Sequence, residues 1–321
     1  MPRRTLVSLG SVNADFQVRV DAPAGSQETL LAHQFRRFAG GKAGNAAFLG
    51  ARFGHRSLLL GRVGDDALAE QALAPLRDAG VEVAVESVPG RSTGVSMITV
   101  PPDAKKHIVL ATNANDDWAV PGIEAMAGVF DGITGPACLV VNYEVPAIVV
   151  RRAVQMACRQ GWSVVLDPSF PDRVERDLLP SLTAIVPNVA EAEALVGFAV
   201  ASLDDAARAA LALQSEGVSI ACVKLSDGGC VLAGDAGLWH LPGGHLKPVD
   251  TTGAGDGFTG AMAIALLEGR PPLEAAAWGV ATAQHAVTAY GSQAAYPDRA
   301  RVEASAGELL DRAVPLERPA C

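Results

Sequence analysis

The chain has 321 residues, of which 49% are hydrophobic, so it can bury a large core at the upper end of the single-domain size range. Its formal net charge is −9 and only 5% of its residues are aromatic, a composition unlike that of nucleic-acid-binding surfaces. Every window of about 18 residues carries a charge or a glycine or proline break, and the N-terminal apolar run is too short for a signal peptide. We therefore expect a cytoplasmic protein that binds neither nucleic acid nor membranes.

Short apolar runs of strand length alternate with helical stretches along most of the chain. The predicted strands are TLVSLG, SLLLGRV, VEVAVESV, CLVVNY, SVVLDPS, TAIVPN and SIACVKL. The predicted helices span residues 43–53, 67–79, 147–160, 190–196 and 203–215. This alternation predicts an α/β fold, with a mainly parallel sheet covered by helices on both faces.

Two segments interrupt the alternation, residues 14–38 and 92–111. They carry the strand patterns FQVRV, TLLAHQF, GVSMITV and HIVLA without helices between them. In GVSMITV neither set of alternate residues is clearly polar, as expected if one face meets a substrate or a second subunit. We expect these segments to form a small separate sheet, the lid, within a single domain of residues 1–321. A homodimer through the lid is a further expectation.

The segment DTTGAGDGF, residues 250–258, is the strongest chemical signal, and it opens an apolar helix. Glycines at 253 and 255 let the backbone approach a ligand, and the N–H groups of a helix N-terminus favour a phosphate oxyanion. A carboxylate at Asp256 could accept a hydroxyl proton while the amides beside it receive the charge of a transferred phosphate. The alternative is an ordinary tight turn with an acid in the first helical turn.

DTTGAGD followed by a helix of small residues resembles the second signature of the ribokinase-like (PfkB) carbohydrate kinases. GGKAGNAA, at 40–47, resembles that family's N-terminal GGxxxN element, correctly spaced after GSVNAD at 10–15. Further matches follow in the family's order: GRVGDD at 61–66, STGV at 92–95, PNVAE at 187–191 and KLSDGG at 224–229. The resemblance runs from residue 10 to about residue 297. It implies a three-layer α/β/α sandwich with a small β-sheet lid, and ATP-dependent phosphorylation of a sugar hydroxyl.

The resemblance also implies roles for individual residues. Asp256 is the expected base, and Gly253, Ala254 and Gly255 complete the anion hole with it. The residues expected to hold the sugar are Asn13, Asp15, Gly41, Lys42, Asn45, Glu144 and Asp256. Asn13 and Asp15 follow the first strand, where ligands gather in open α/β sheets, although a plain turn would give the same letters. The residues expected to contact ATP are Asn188, Lys224, Ser226, Asp227, Gly229 and Gly255.

Two kinds of cation site follow from the same resemblance. Asn188 and Glu191 are three residues apart on one helix face and are expected to organise Mg²⁺ through water, although a capping box would give the same letters. A monovalent-cation site is implied at Asp250 and at the carbonyls of Thr252, Ala286, Ala289 and Gly291. Potassium-activated relatives commonly carry a serine where this chain has Ala295. We therefore expect potassium activation to be weak or absent.

Other enzyme classes are not supported by motifs. The chain has no GxxxxGK[ST], HRD, DFG or GxSxG string, and the GxGxxG formed by residues 255–260 lies within the predicted helix, not in an opening βαβ unit. Two alternatives stay open, a nucleoside kinase of the same family and a non-catalytic sugar- or nucleotide-binding regulator. A purine usually requires aromatic stacking, and the lid and first-signature segments offer only Phe16, Phe35, Phe38 and Phe48. A pentose or related carbohydrate is favoured.

Overall fold

The computed structural model of the chain describes residues 4–23, 25, 28–244 and 246–318. The strands are β1 (Thr5–Leu9), β2 (Asn13–Val20), β3 (Ala32–Gly40), β4 (Arg56–Gly64), β5 (Glu82–Val88), β6 (Gly94–Val100), β7 (His107–Ala111), β8 (Ala137–Asn142), β9 (Ser163–Asp167), β10 (Ala184–Ile185), β11 (Ile220–Lys224), β12 (Cys230–Gly234), β13 (Gly237–Leu241) and β14 (Val314–Pro315). The helices are α1 (Lys42–Arg52), α2 (Ala67–Asp78), α3 (Val120–Asp131), α4 (Ala147–Arg159), α5 (Val189–Val196), α6 (Leu203–Ser215), α7 (Ala254–Leu267), α8 (Pro272–Ala286) and α9 (Arg299–Leu310).

The large sheet has the strand order β14-β13-β12-β11-β10-β9-β8-β1-β4-β5. Neighbours from β11 to β5 are parallel, whereas β12, β13 and β14 add an antiparallel edge. Side chains alternate between two apolar layers: Leu139 and Val141 pack with α3 to α6, and Cys138 and Val140 pack with α1 and α7 to α9. This confirms the predicted three-layer α/β/α sandwich and places the carboxyl ends of the parallel strands at one edge of the sheet.

The lid is a separate small sheet, as the sequence predicts, and its four strands lie in the order β3-β2-β6-β7. Its second predicted strand is displaced, because TLLAHQF begins at residue 29 whereas β3 runs from Ala32 to Gly40. The register with β2, which pairs Asn13 with Gly40, extends β3 into the glycine pair that precedes α1. Residues 24, 26 and 27, which belong to the predicted lid, lie outside the described residues.

In the part of the chain that the structure describes, no helix has both the length and the apolar character needed to cross a membrane.

Candidate active site

A cavity of about 710 Å³ lies between the lid and the carboxyl ends of the parallel strands. The residues predicted for the sugar, the phosphoryl transfer and ATP all line it: Asn13, Asp15, Gly41, Lys42, Asn45, Glu144, Asn188, Lys224, Ser226, Asp227, Gly229, Gly253, Ala254, Gly255 and Asp256. Glu191 and Thr252 also face it, whereas the remaining residues of the predicted monovalent-cation site do not line it. Segments far apart in the chain therefore converge on one pocket.

The predicted anion hole is the N-terminus of α7. Gly253 precedes the helix with φ of 73°, and a β-carbon there would lie 2.3 Å from Cβ of Ser292, so only glycine fits the turn. The carbonyl of Gly253 accepts a hydrogen bond from the Tyr296 hydroxyl at 2.8 Å. The residues of this first helical turn line the cavity, where the positive end of the helix dipole would stabilise an anion.

Asp256 lies in that first turn and is held by two side chains of α1. Its Oδ2 accepts from Nδ2 of Asn45 at 2.7 Å, and its Oδ1 pairs with Nζ of Lys42 at 3.1 Å. Asn45 is itself fixed, because its Oδ1 accepts from Ser292 Oγ at 3.0 Å and from Gln293 Nε2 at 3.2 Å. The two sequence signatures thus meet at one carboxylate, and Asn45 orients Asp256.

Asp167, the last residue of β9, was missed by the sequence reasoning. Its buried carboxylate pairs with Nζ of Lys42 at 3.1 Å and with Nζ of Lys224 at 3.4 Å. Burial acts to raise the pKa of Asp167, but the two ammonium charges outweigh it and hold that pKa well below its ordinary value. The available signal was its place at the carboxyl end of a buried strand, the rule that singled out Asn13 and Asp15.

Lys42 bridges Asp167 and the proposed base. Burial acts to lower the pKa of Lys42, yet the carboxylates of Asp167 and Asp256 raise it well above its ordinary value. Lys42 therefore stays charged and has two competing acidic partners. Lys224 lies on the same side of the cavity, since a β-carbon on Gly255 would be 3.7 Å from its Nζ. Two ammonium groups thus face the anion hole.

Asn13 and Asp15 open strand β2, so they do not form the turn that was the alternative. The Oδ1 atom of Asn13 accepts from Nδ2 of Asn115 at 2.8 Å, and its Nδ2 donates to Ser96 Oγ at 3.4 Å. Asp15 is 5% exposed, and its Oδ1 has no hydrogen-bond partner among the described residues. Burial raises the pKa of Asp15 to about 7, and the charges of Asp256 and Glu144 add to this effect. An acceptor oxygen is therefore free for a hydroxyl donor.

Glu144 follows β8 and completes this side of the cavity. Its Oε2 accepts from the Ser11 hydroxyl at 2.6 Å, and Ser11 Oγ accepts from the backbone N–H of Lys42 at 2.9 Å. Burial raises the pKa of Glu144, opposed in part by the charge of Lys42. Next to Lys42, Gly41 has φ of 86°, and a β-carbon there would lie 2.4 Å from the Ser11 carbonyl oxygen. These contacts join the glycine pair before α1 to the end of β8.

Asn188 and Glu191 form the capping box of α5. Oδ1 of Asn188 accepts from the Glu191 N–H at 2.9 Å, and Oε2 of Glu191 accepts from the Asn188 N–H at 2.8 Å. The capping box that was the alternative interpretation of Asn188 and Glu191 is therefore present, and their role in binding a metal stays a prediction. No cluster of three or more His, Cys, Asp or Glu residues that could hold a metal directly occurs among the described residues.

Lys106 is a second residue that sequence reasoning missed. It lies between β6 and β7, and its Nζ donates to the carbonyl of Thr251 at 2.7 Å, while Thr251 Oγ1 donates to the carbonyl of Ala104 at 3.0 Å. Burial lowers the pKa of Lys106. The lid thus brings a lysine to the loop that precedes the predicted anion hole. No sequence pattern marks Lys106, because its place depends on how the lid packs.

Comparison with known proteins agrees with this geometry. A family model described as pfkB family carbohydrate kinase matches residues 3–299. The chain is 31% identical over 301 residues to a ribokinase of Haemophilus influenzae, covering 92% of this chain and 96% of that protein. It is 30% identical over 273 residues to a deoxyribokinase of Salmonella typhi, covering 84% of this chain and 88% of that protein.

A solved structure with the same fold is that of Arabidopsis thaliana ribokinase complexed with ribose and ATP. It matches with a TM-score of 0.80 at 26% identity, covering 95% of this chain and 99% of that chain. The family match spans both signatures and the cavity between them. The chain therefore belongs to the pfkB family of carbohydrate kinases.

Proposed function

We propose that this ATP-dependent sugar kinase phosphorylates a hydroxyl of a pentose such as ribose or deoxyribose, with Asp256 as the general base. The observation that carries the proposal is that Asp256, in the first turn of α7 and paired with Lys42, lines one cavity together with Asn13, Asp15 and Lys224. The names of the two relatives and the ribose in the Arabidopsis complex support a pentose.

In the proposed reaction the sugar hydroxyl gives its proton to the Asp256 carboxylate while its oxygen bonds to the terminal phosphorus of ATP. The bond from that phosphorus to the bridging oxygen breaks, and ADP leaves. The N–H groups at residues 253–255 stabilise the charge on the transferred phosphoryl oxygens. Asp15 and Asn13 hold neighbouring hydroxyls of the sugar, since a carboxylate accepts and an amide both donates and accepts.

The ion pair between Lys42 and Asp256 has to break before the Asp256 carboxylate can act as a base. Asp167 is the second partner of Lys42, at the same distance of 3.1 Å, so the ammonium group can shift toward Asp167 and the incoming phosphates without losing a counter-charge. Because Lys42 is largely buried, an ammonium group without a carboxylate partner would be destabilising there. Asp167 is therefore proposed as a positioning residue for Lys42 and Lys224.

Mg²⁺ is proposed to be organised through water by Asn188 and Glu191. The donor set fits a hard cation that keeps several waters, and the capping box can persist because it uses one of the two Glu191 carboxylate oxygens. When bound, Mg²⁺ would neutralise charge on the phosphates.

The nucleoside alternative finds little support in the cavity. Of the described residues that line it, Phe258 is the single aromatic one. Phe16 and Phe35 stack on each other in the lid with ring centroids 6.2 Å apart, and Phe48 contacts Tyr296. None of the four phenylalanines considered in the sequence lines the cavity. A stacked purine acceptor is therefore disfavoured relative to a sugar.

The adenine of ATP is proposed to bind near an apolar part of the cavity wall. Leu225, Leu246, Pro248 and Val287 contribute apolar side chains to this wall. The carbonyl of Val287 accepts from the Val249 N–H at 2.7 Å, so the segment after Leu246 is joined to the end of α8. A cytoplasmic location and a homodimer through the lid are retained as parts of the proposal.

The test is an acceptor panel in a coupled ADP-release assay, with ribose, deoxyribose, fructose, a keto-deoxy sugar acid and adenosine. We expect a pentose to give the highest kcat/KM. Asp256→Asn should lower kcat by about 10²-fold or more, as loss of a general base does, while ATP still binds. The matched control is Asp172→Asn, an exposed aspartate outside the cavity. Preference for adenosine, or near-normal turnover by Asp256→Asn, would contradict the proposal.

A further inference from the structure

Asp250, the residue implied as the side-chain ligand of a monovalent cation, is fully buried and bonded throughout by protein donors. Its Oδ1 accepts from the N–H of Thr252 at 2.9 Å and from Thr252 Oγ1 at 2.6 Å. Its Oδ2 accepts from Nε2 of Gln17 at 2.7 Å and from the N–H of Gly291 at 3.0 Å. An ionised carboxylate has about four lone-pair sites, so the four donors use its full capacity.

The residues around Asp250 therefore do not fit a cation site of the kind that the family resemblance implies. A cation would need an oxygen of Asp250, and to gain one it would have to displace a buried hydrogen bond. Gln17 is the donor that a cation could displace most readily, because its side chain comes from strand β2 of the lid. The other donors belong to the loops that adjoin Asp250. The Nε2 atom of Gln17 also lies 3.3 Å from Thr252 Oγ1, another residue of the implied site.

The neighbouring lid residues bring positive charge to the same place. Arg19 follows Gln17 by two residues on β2. Arg36 on β3 is the direct partner of Gln17. The side chains of Gln17, Arg19 and Arg36 therefore share one face of the lid. The guanidinium carbons of Arg19 and Arg36 lie 4.4 Å and 5.4 Å from the centre of the Tyr290 ring. Tyr290 lies between Ala289 and Gly291, whose carbonyls were implied as cation ligands. The two guanidinium groups add positive charge beside this loop, which disfavours a further cation there.

We infer that Gln17 takes the place of a monovalent cation at Asp250, so that the lid strand β2 steadies the anion-hole loop and turnover does not require potassium. Gln17 is a positioning residue, because it acts on the loop through Asp250. It shares the inner face of β2 with Asp15, which connects the proposed sugar site to the anion hole through one strand. The inference rests on the proposed function only where turnover is measured.

The first measurement is the thermal midpoint Tm of the substrate-free protein, in KCl and in choline chloride at equal ionic strength. We expect the Tm of the unmodified protein to be the same in both salts. Gln17→Ala should lower the Tm in choline chloride, because it leaves part of a buried carboxylate unpaired. KCl should recover part of that loss, since the vacated space lets a cation reach Asp250. Gln17→Met keeps the length of the side chain and removes its donors, so it should also lower the Tm in choline chloride. Because methionine fills the space that a cation would need, KCl should recover little of that loss.

The second measurement is kcat in the same two salts. KCl should change the turnover of the unmodified enzyme by less than about fivefold, the lower end of coupling between linked sites, and should raise that of Gln17→Ala by more than this. The matched control is Gln71→Ala, which removes lid hydrogen bonds to the carbonyls of Asp15 and Phe38 without touching Asp250. It should gain no response to KCl.

Two results would overturn the inference. One is a Tm or a turnover of the unmodified protein that rises in KCl as strongly as that of Gln17→Ala. The other is a Gln17→Ala protein that matches the unmodified protein in both salts. Because the Tm needs no substrate, the inference can fail while the proposed reaction stands, and the reverse also holds.

Discussion

At the scale of single residues, Asp15 combines burial with a free acceptor oxygen. Its carboxyl lies on the inner face of the lid near the charges of Asp256 and Glu144, and burial together with these charges raises its pKa to about 7. A sugar hydroxyl that donates to the ionised form must compete with the proton that the folded protein binds. The proposed sugar-binding role of Asp15 therefore links sugar affinity to pH.

We predict that the KM for the sugar rises by about tenfold for each pH unit below 7, whereas the KM for ATP changes much less. Asp15→Asn should raise the KM for the sugar at neutral pH and remove its pH dependence, because the amide does not titrate. Initial rates between about pH 5.5 and 8.5 measure both constants. An unchanged pH dependence in Asp15→Asn would show that another group is responsible.

The same pKa fixes the sign of a stability effect. The folded pKa of Asp15 lies above its ordinary value of 3.8, so the folded state binds more protons between these values. The free energy of unfolding should therefore fall as the pH rises from about 4 to about 7, and Asp15→Asn should flatten this slope.

At the scale of elements, the lid supplies one wall of the cavity and contacts the loop that precedes α7. Ser96, Ile98, Ile108 and Leu110 of β6 and β7 face the cavity, and Lys106 between these strands donates to the Thr251 carbonyl. A kinase has to exclude water from the transferred phosphoryl group to avoid hydrolysing ATP. The lid is placed to do so.

We predict that an acceptor sugar slows amide hydrogen exchange in β2, β3, β6 and β7, since a bound sugar joins the inner face of the lid to the large sheet. Helix α9, which packs on the far side of the cavity wall against α8, is the internal control and should keep its exchange rates. Equal rates in the lid with and without sugar would refute closure.

Helices and strands were predictable where their residues repeat with a clear period. The predicted helices at 43–53, 67–79, 147–160, 190–196 and 203–215 match α1, α2, α4, α5 and α6 to within a residue at each end. Helix α8 was not predicted, because most of its faces are buried and it lacks an amphipathic repeat. Helix α3 was missed as well, since its interior carries Gly122 and Gly128.

Those residues of the candidate site that belong to local sequence motifs were also predictable. The motif residues do line one cavity, but Asp167 and Lys106 act through contacts with segments distant in the chain. Gln17 could have been identified from the sequence, since it is polar and follows Asn13 and Asp15 at alternate positions of one strand. Its partner Asp250 is 233 residues away, and no periodicity of the sequence connects the two.

At the scale of the whole molecule, the net charge is negative although several positively charged side chains face the cavity. The chain carries a formal net charge of −9, yet Lys42, Lys106 and Lys224 all face the cavity. Because these nearby groups and a helix N-terminus are available to phosphates, the global charge need not oppose ATP binding.

The outer face of the lid is the other large-scale feature, because it is apolar and exposed. Phe16 pairs with Met97, and Met97 pairs with Val109, across three strands of one sheet. Phe35 stacks on Phe16, and the guanidinium of Arg37 lies 5.9 Å from the centre of the Phe16 ring. Contiguous apolar surface of this kind typically marks an interface, and the lid also leaves the strands β3 and β7 as open edges.

We predict that this face joins two copies of the chain, so that light scattering after gel filtration gives twice the chain mass of 33.0 kDa. Val109→Asp should shift the protein to the mass of one chain, because it places a charge in the apolar contact. Val120→Asp is the matched control, since Val120 on α3 is exposed to a similar degree, 66% against 72%, and lies outside the lid. A single-chain mass for the unmodified protein at micromolar concentration, or equal masses for the two variants, would exclude a dimer through the lid.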